Sequence, residues 1–241
     1  MSQRVLYTVG DSPPGRAVQM TLQYLELSYE IKQVDFDNGE HFSKDYLEMY
    51  PQGELPVLDD FGYIVGESVA IIQYLASKYP RDETFYPKDP EKNSVVHHRL
   101  AFYLSTYYRR IHDYYILPMD YAYERTEDNK KKLNHALRIF DDILRKQNAL
   151  YAAGDKLTIA DVPLVMGTSV LVAMKHDLQP FKYINKWFQD FQENRPKLWS
   201  VAKEGLDGLE YFNLNPRDMS HLKHPIHPTK SSEEAGSKKN T

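Results

Sequence analysis

The chain changes character at a polar, proline-rich stretch, residues 80–93 (PRDETFYPKDPEKN), and this break limits the fold more than any other feature. Before it, strand-type runs alternate with helical ones; after it, only helical periodicity remains. Residues 4–9 are β-branched and aromatic and the turn residues GDSPP follow, so a short strand is predicted to end near Gly10. A helix follows, with Ser12 as its N-cap, Pro13 at the first helical position, and Val18, Leu22 and Leu25 on one apolar face. Residues 29–36 read as a second strand, Asp37-Asn38-Gly39 as a turn and residues 41–49 as a short helix. Residues 52–58 read as an apolar strand opened by Pro56, Asp59–Gly62 as a hairpin turn and Tyr63-Ile64-Val65 as the return strand. Glu67-Ser68 then begins a helix carrying Ala70, Ile71, Tyr74, Leu75 and Tyr79. The order βαβαββα predicts a small mixed sheet with helices on its faces.

Beyond the break, residues 93–117 read as a long tyrosine-rich helix, bent or stopped near Pro118. Leu133, Leu137, Phe140 and Leu144 mark a second helix. Thr158-Ile159-Ala160-Asp161 opens a third, residues 181–192 form a fourth and Pro196 starts a fifth. The predicted class is α+β: a mixed-sheet domain (1–80), a linker (81–92), an all-helical domain (93–213) and a polar, mobile tail (214–241).

Composition excludes several functions. The formal net charge is −4, so there is no basic excess to neutralise nucleic-acid phosphates. The chain has no cysteine, which removes disulfides, thiolate zinc sites and any cysteine nucleophile, and is compatible with the cytoplasm. No run of about 18 apolar residues is present to span a membrane, and the first sixteen residues hold no apolar stretch of signal-sequence length. Nineteen tyrosines suit semi-polar pockets and interfaces as well as ordinary packing.

Three segments carry candidate chemistry. Ser12 sits at a strand-to-helix turn, where free helix N–H groups favour an anion and a hydroxyl can donate to a thiolate; taken alone, the segment is better explained by a plain N-cap, since Ser before Pro is common at helix starts. Leu55-Pro56 fits a cis proline that presents the Leu55 backbone to an extended peptide ligand, or an ordinary trans proline opening a strand. Glu67-Ser68 at a helix start suits the ammonium and carboxylate of an amino-acid group, or a helix cap with first-turn charge.

In this order the segments resemble the cytosolic glutathione transferases, over about residues 3–212. The resemblance is carried by Ser-Pro-Pro-x-Arg at 12–16, Asn-Gly-Glu-His at 38–41, Pro-Gln-x-x-Leu-Pro-Val-Leu at 51–58, Glu-Ser at 67–68 and Leu-Thr-Ile-Ala-Asp at 157–161. The spacing and the tyrosine-rich residues 102–118 look most like the insect delta and epsilon classes. The resemblance implies a thioredoxin-like glutathione-binding domain, a helical domain for the electrophile, glutathione as co-substrate with no permanently bound cofactor, a cytoplasmic homodimer and an enzyme that conjugates hydrophobic electrophiles. It also implies that Thr158 and Asp161 form the capping box of the helical core.

Carried onto this sequence, the resemblance gives Ser12 the thiolate, Leu55 the cysteinyl backbone with Pro56 cis, and Glu67 and Ser68 the γ-glutamyl end. His41, Gln52 and Gly53 fall near the glycyl end or beside the γ-glutamyl unit. Gly53 and Val69 stand where the delta/epsilon pattern has His and Arg, which removes polar contacts and keeps a non-catalytic carrier of apolar ligands as the alternative. Tyr7 is the rival for thiol activation.

For the electrophile, the resemblance implies Pro14 and the tyrosine-rich helix residues Tyr107, Tyr108, Ile111, His112, Tyr115 and Met119, with Tyr211 and Phe212 closing the far side. Straight α-helical spacing puts Tyr108, Ile111, Tyr115 and Met119 on one stripe, which reads as pocket wall or as helix–helix core. His221, His224 and His227 recur every third residue beside prolines and read as tail rather than as a metal site. Lys130-Lys131-Lys132 reads as a solvated helix face and Arg109-Arg110 as a surface ion-pair segment or a ligand-reaching pair.

Overall fold

The computed structural model describes residues 3–222 and 224–229. Strand β1 (Arg4–Thr8) buries Arg4, Leu6 and Thr8 on one face, and turn residues hand over to α1 (Pro13–Tyr24). β2 (Glu30–Gln33) is shorter than the predicted 29–36, and all four residues are exposed, as befits a sheet edge. The predicted helix over 41–49 divides into a 3₁₀ turn (Glu40–Phe42) and α2 (Lys44–Met49), because the Ser43 hydroxyl accepts from the Tyr46 amide and restarts the helix. The third strand begins later than predicted: β3 (Val57–Asp60) follows a cis Leu55–Pro56 bond. Phe61 and Gly62, both at positive φ, turn the chain into β4 (Tyr63–Gly66), and α3 (Ser68–Lys78) follows.

The sheet order is β2-β1-β3-β4, with β1 parallel to β2 and the other pairs antiparallel. Leu6 pairs with Leu58 at its centre, and both are fully buried. At one end the buried Arg4 guanidinium meets Asp60 at 2.8 Å, and Asp60 also accepts from the hydroxyls of Tyr74 and Tyr79. Burial of an ion pair is tolerated only when such extra bonds fill the remaining lone pairs.

The long helix starts at Pro90, inside the predicted linker, because the Asp89 carboxylate accepts from the Lys92 amide as an N-cap. It continues to Asp120 and is interrupted by two π-turns. In order it comprises α4 (Pro90–Phe102), a π-turn (Tyr103–Tyr107), α5 (Tyr108–Ile111), a second π-turn (His112–Ile116) and α6 (Leu117–Asp120). Pro118 does not stop the rod: the second π-turn restarts the helix at Leu117, so the proline lies in a first turn, where its ring has no preceding α-turn to strike.

Thr126 caps α7 (Glu127–Gln147), which ends at Asn148 in the left-handed region. α8 (Asp161–Ala173) is the central helix, with Val162, Leu164, Val165 and Val170 wholly buried. The Asp161 carboxylate accepts from the amides of Ala152 (2.7 Å) and Thr158 (3.0 Å) and from the Trp187 indole (3.2 Å). Half of the expected reciprocal box forms, from the Thr158 amide to the Asp161 carboxylate; the Thr158 hydroxyl donates to Asp161 Oδ2 at 3.2 Å and accepts from the Ala160 amide, while the Asp161 amide bonds the Thr158 carbonyl. α9 (Lys182–Asn194) and α10 (Pro196–Leu214) complete the helical layer. α1 packs against α3 of its own domain and against α8 and α10 of the other. No helix among the described residues is long and apolar enough to cross a membrane.

Candidate active site

Ser12 ends the β1–α1 turn with extended backbone, and its Oγ accepts from the Gly15 amide at 3.1 Å. That bond uses one lone pair and leaves the hydroxyl proton to donate elsewhere. Arg16 holds the turn by donating from Nε to the Gly10 carbonyl at 2.7 Å. Gly15 is required here because a Cβ would lie 2.0 Å from Thr8 Oγ1. Ser12 and Pro14 line a cavity of about 420 Å3 between the two domains.

A smaller cavity of about 200 Å3 adjoins it, and Pro14, Glu54, Leu55 and Tyr108 line both. The smaller one gathers Gln52, Pro56, Glu67 and Ser68, four residues singled out by sequence, together with Tyr103 and Leu104. Gln52 Nε2 donates to Glu67 Oε1 at 2.6 Å, and the Tyr50 hydroxyl donates to Gln52 Oε1 at 2.7 Å. Glu67 adopts φ 61 and ψ 108, a strained backbone for a residue with a Cβ, immediately before the first turn of α3. Two carboxylates and a helix N-terminus thus share one small cavity, complementary to the ammonium and carboxylate of an amino acid. Sequence reasoning missed Glu54, which stands between two motif residues and gave no periodic signal of its own.

Other predicted residues sit apart from the cavities. Gly53 has φ +64 and packs beneath the His41 carbonyl. His41 is 2% exposed, stacked on Phe36 at 4.6 Å with Phe42 at 3.9 Å, and lines neither cavity. Burial, with His224 nearby, lowers its pKa to about 4. Val69 is buried in the core. Tyr7 lines neither cavity; its ring meets Tyr46 edge-on and carries the Lys32 ammonium.

The helical wall differs from the predicted stripe. Tyr108, His112, Ile116 and Met119 line the large cavity, at spacings of four, four and three. Tyr108 and Ile111 share α5, so ordinary α spacing separates them, and the second π-turn shifts only the residues from His112 onward, Tyr115 among them. Ile111 is wholly buried against Gly167. The Tyr115 hydroxyl pairs with His176 Nδ1 at 2.8 Å, and the buried Tyr107 hydroxyl with Thr168 Oγ1 at 2.9 Å. Ile111, Tyr115 and Tyr107 are therefore core rather than pocket. Burial lowers the His112 pKa to about 4, so this cavity residue is neutral near pH 7. Tyr211 is 59% exposed and Phe212 packs under the Arg217 guanidinium at 3.6 Å; neither lines the cavity.

The far side is closed instead by the segment predicted to begin the tail. Residues 215–222 and 224–229 return across the cleft, and Arg217, Ile226 and His227 line the large cavity. Residues 230–241 lie outside the described residues. His221 is exposed, while His224 and His227 pack against Tyr121.

A four-stranded mixed sheet with a cis proline beside a charged pocket, joined to an all-helical domain across a cleft, makes this a two-domain protein of a small thioredoxin-like sheet domain and a helical domain. Residues 6–84 match the family model described as Glutathione S-transferase, N-terminal domain, and residues 109–200 match Glutathione S-transferase, C-terminal domain. Glutathione S-transferase D7 of Anopheles gambiae is 35% identical over 88% of this chain and 91% of its own. A diazinon-metabolizing glutathione S-transferase of the silkworm Bombyx mori is 40% identical, with TM-score 0.80, over 86% of this chain and 98% of its own. A delta-class glutathione transferase of Nilaparvata lugens is 35% identical, with TM-score 0.82, over 87% and 98%. The chain belongs to the glutathione S-transferase family, among relatives of the insect delta and epsilon kinds.

Proposed function

We propose that the protein conjugates the thiol of glutathione to hydrophobic electrophiles, with Ser12 donating its hydroxyl hydrogen bond to the thiolate. The observation that carries this reading is the pair of adjoining cavities: a charged one at Glu67 and Ser68, and a larger one entered at Ser12 whose lining mixes apolar, aromatic and charged side chains. Glutathione lies across both. Its γ-glutamyl end meets Glu67, Ser68 and Glu54 with Gln52 beside it, and its cysteinyl unit pairs with the Leu55 backbone. The thiol proton leaves to solvent, the sulfur forms a bond to the electrophilic atom, and the leaving group, where there is one, takes the electron pair of the bond it loses. Stabilising the thiolate and bringing the partners together supplies the catalysis.

The electrophile occupies the larger cavity against Pro14, Tyr108, His112 and Met119, a surface suited to aromatic substrates bearing hydrogen-bond acceptors. The diazinon-metabolizing silkworm relative supports xenobiotic esters as one substrate class. The protein works as a cytoplasmic homodimer, a reading supported by the family. Glutathione-dependent turnover of a dinitrophenyl halide tests the proposal. Tight binding of apolar ligands with no turnover would point to a carrier instead.

A further inference from the structure

We propose that residues 215–222 and 224–229 form the third wall of the electrophile cavity and select substrates by size, with Arg217 as the fastening and Ile226 and His227 as the residues that meet the electrophile. This inference rests on the functional reading above, because it assigns selectivity to the same cavity. Arg217 is 8% exposed and grips both domains. Its Nη2 donates to both Asp11 oxygens at 2.9 Å, beside Ser12. Nη1 pairs with Asp37 of the sheet domain, and Nε faces Asp120 of α6 at 3.4 Å. The guanidinium also covers the Phe212 ring. A planar cation held by three carboxylates and an aromatic face has one seat, so the segment leaving it has a fixed start.

The other end is fixed too. The Ala122 amide donates to the Pro228 carbonyl at 2.8 Å, and the His227 ring lies 4.4 Å from that of Tyr121. Between the two ends, Leu222 covers Gly39 and His224 meets Phe42 edge-on at 4.9 Å. The strap therefore runs from α10 over the sheet domain and back to the end of α6. Its inner side presents Ile226 and an imidazole to Tyr108, His112 and Met119 across the cavity. A compact aromatic electrophile fits the cleft of about 420 Å3; a long or bulky one runs into Ile226. The Ile226 side chain adds little to the core, since the residue is 71% exposed while still lining the cavity.

The test is steady-state kinetics on the full chain with a compact dinitrophenyl halide and a long-chain alkenal, for the wild type, Arg217→Ala, Ile226→Ala and Ile226→Trp. Apolar pockets discriminate by about ten-fold or more per methylene. Ile226→Ala and Arg217→Ala are expected to raise the long-to-compact ratio of kcat/KM by about ten-fold, and Ile226→Trp to lower it, with KM for glutathione unmoved. An unchanged ratio in both Ile226 variants overturns the proposal, and then any loss in Arg217→Ala is structural. Should Arg217→Ala fail to fold, the Ile226 pair decides. Failure of the parent reading looks different: no glutathione-dependent turnover in the wild type, which removes this inference with it.

Discussion

Gln52 Nε2 and Glu67 Oε1 lie 2.6 Å apart, joining the loop before the cis proline to the residue before α3 across the smaller cavity. Both are exposed, so their bond helps to set the carboxylate's direction rather than the fold. Gln52→Ala is expected to raise KM for glutathione about five-fold, on the order of 1 kcal/mol, and to leave kcat at saturating glutathione intact. An unmoved KM would show that Glu67 orients without it.

Ser12 caps α1, and the proposed function gives it a second task as donor to the thiolate. Ser12→Ala should lower kcat about ten-fold or more with glutathione affinity kept, and should cost about 1 kcal/mol of stability through the lost cap. Full activity in this variant, with loss in Tyr7→Phe, would move thiol activation to the tyrosine.

Gly15 gives α1 its close approach to β1. Gly15→Ala is expected to destabilise by about 1–3 kcal/mol through the clash with Thr8 Oγ1, and Thr8→Ala should recover part of that loss. Strict additivity in the double variant, measured by urea unfolding, would contradict the contact.

His41 ties stability to pH. Its folded pKa, about 4, lies below the ordinary value of 6.5, so the unfolded chain binds the proton first. The stabilisation is complete above pH 6.5 and is lost as the pH falls toward 4. His41→Phe keeps a ring beside Phe36 and should flatten the stability profile in that window by roughly 3 kcal/mol at most. His112 titrates over the same range, so a reduced slope remains. Parallel pH profiles for wild type and variant would refute the assignment.

Core and pocket alternate at neighbouring positions of α5, with Ile111 wholly buried and Tyr108 on the cavity. Ile111→Ala should cost about 2–5 kcal/mol in stability with an unchanged substrate profile. Tyr108→Ala should shift the profile with a smaller loss. Melting temperatures and rates on several electrophiles distinguish them, and the reverse outcome would restore the straight-helix stripe.

Local signals were legible where the chemistry is local. Pro13 after Ser12, and the hydrophobic spacing from Leu133 to Leu144, announce α1 and α7 because caps and amphipathic faces are short-range matters. Glu67 and Ser68 could be found from their place between β4 and α3. The π-turns could not, since no single residue encodes a 4.4-residue turn and Pro118 reads as a stop. Arg217 gave no signal either: its carboxylate partners Asp11 and Asp37 lie 206 and 180 positions away, and a Pro/His/Ser-rich composition looks unpacked to any local rule.

The helix that begins at Ser12 is shared property. Because α1 is wedged against α3 on one side and α8 and α10 on the other, the two halves of the chain meet on the element that aims the hydroxyl. Neither half is an interchangeable module. A graft of the helical half from a relative replaces the α8 and α10 surfaces that seat α1, the helix Ser12 caps.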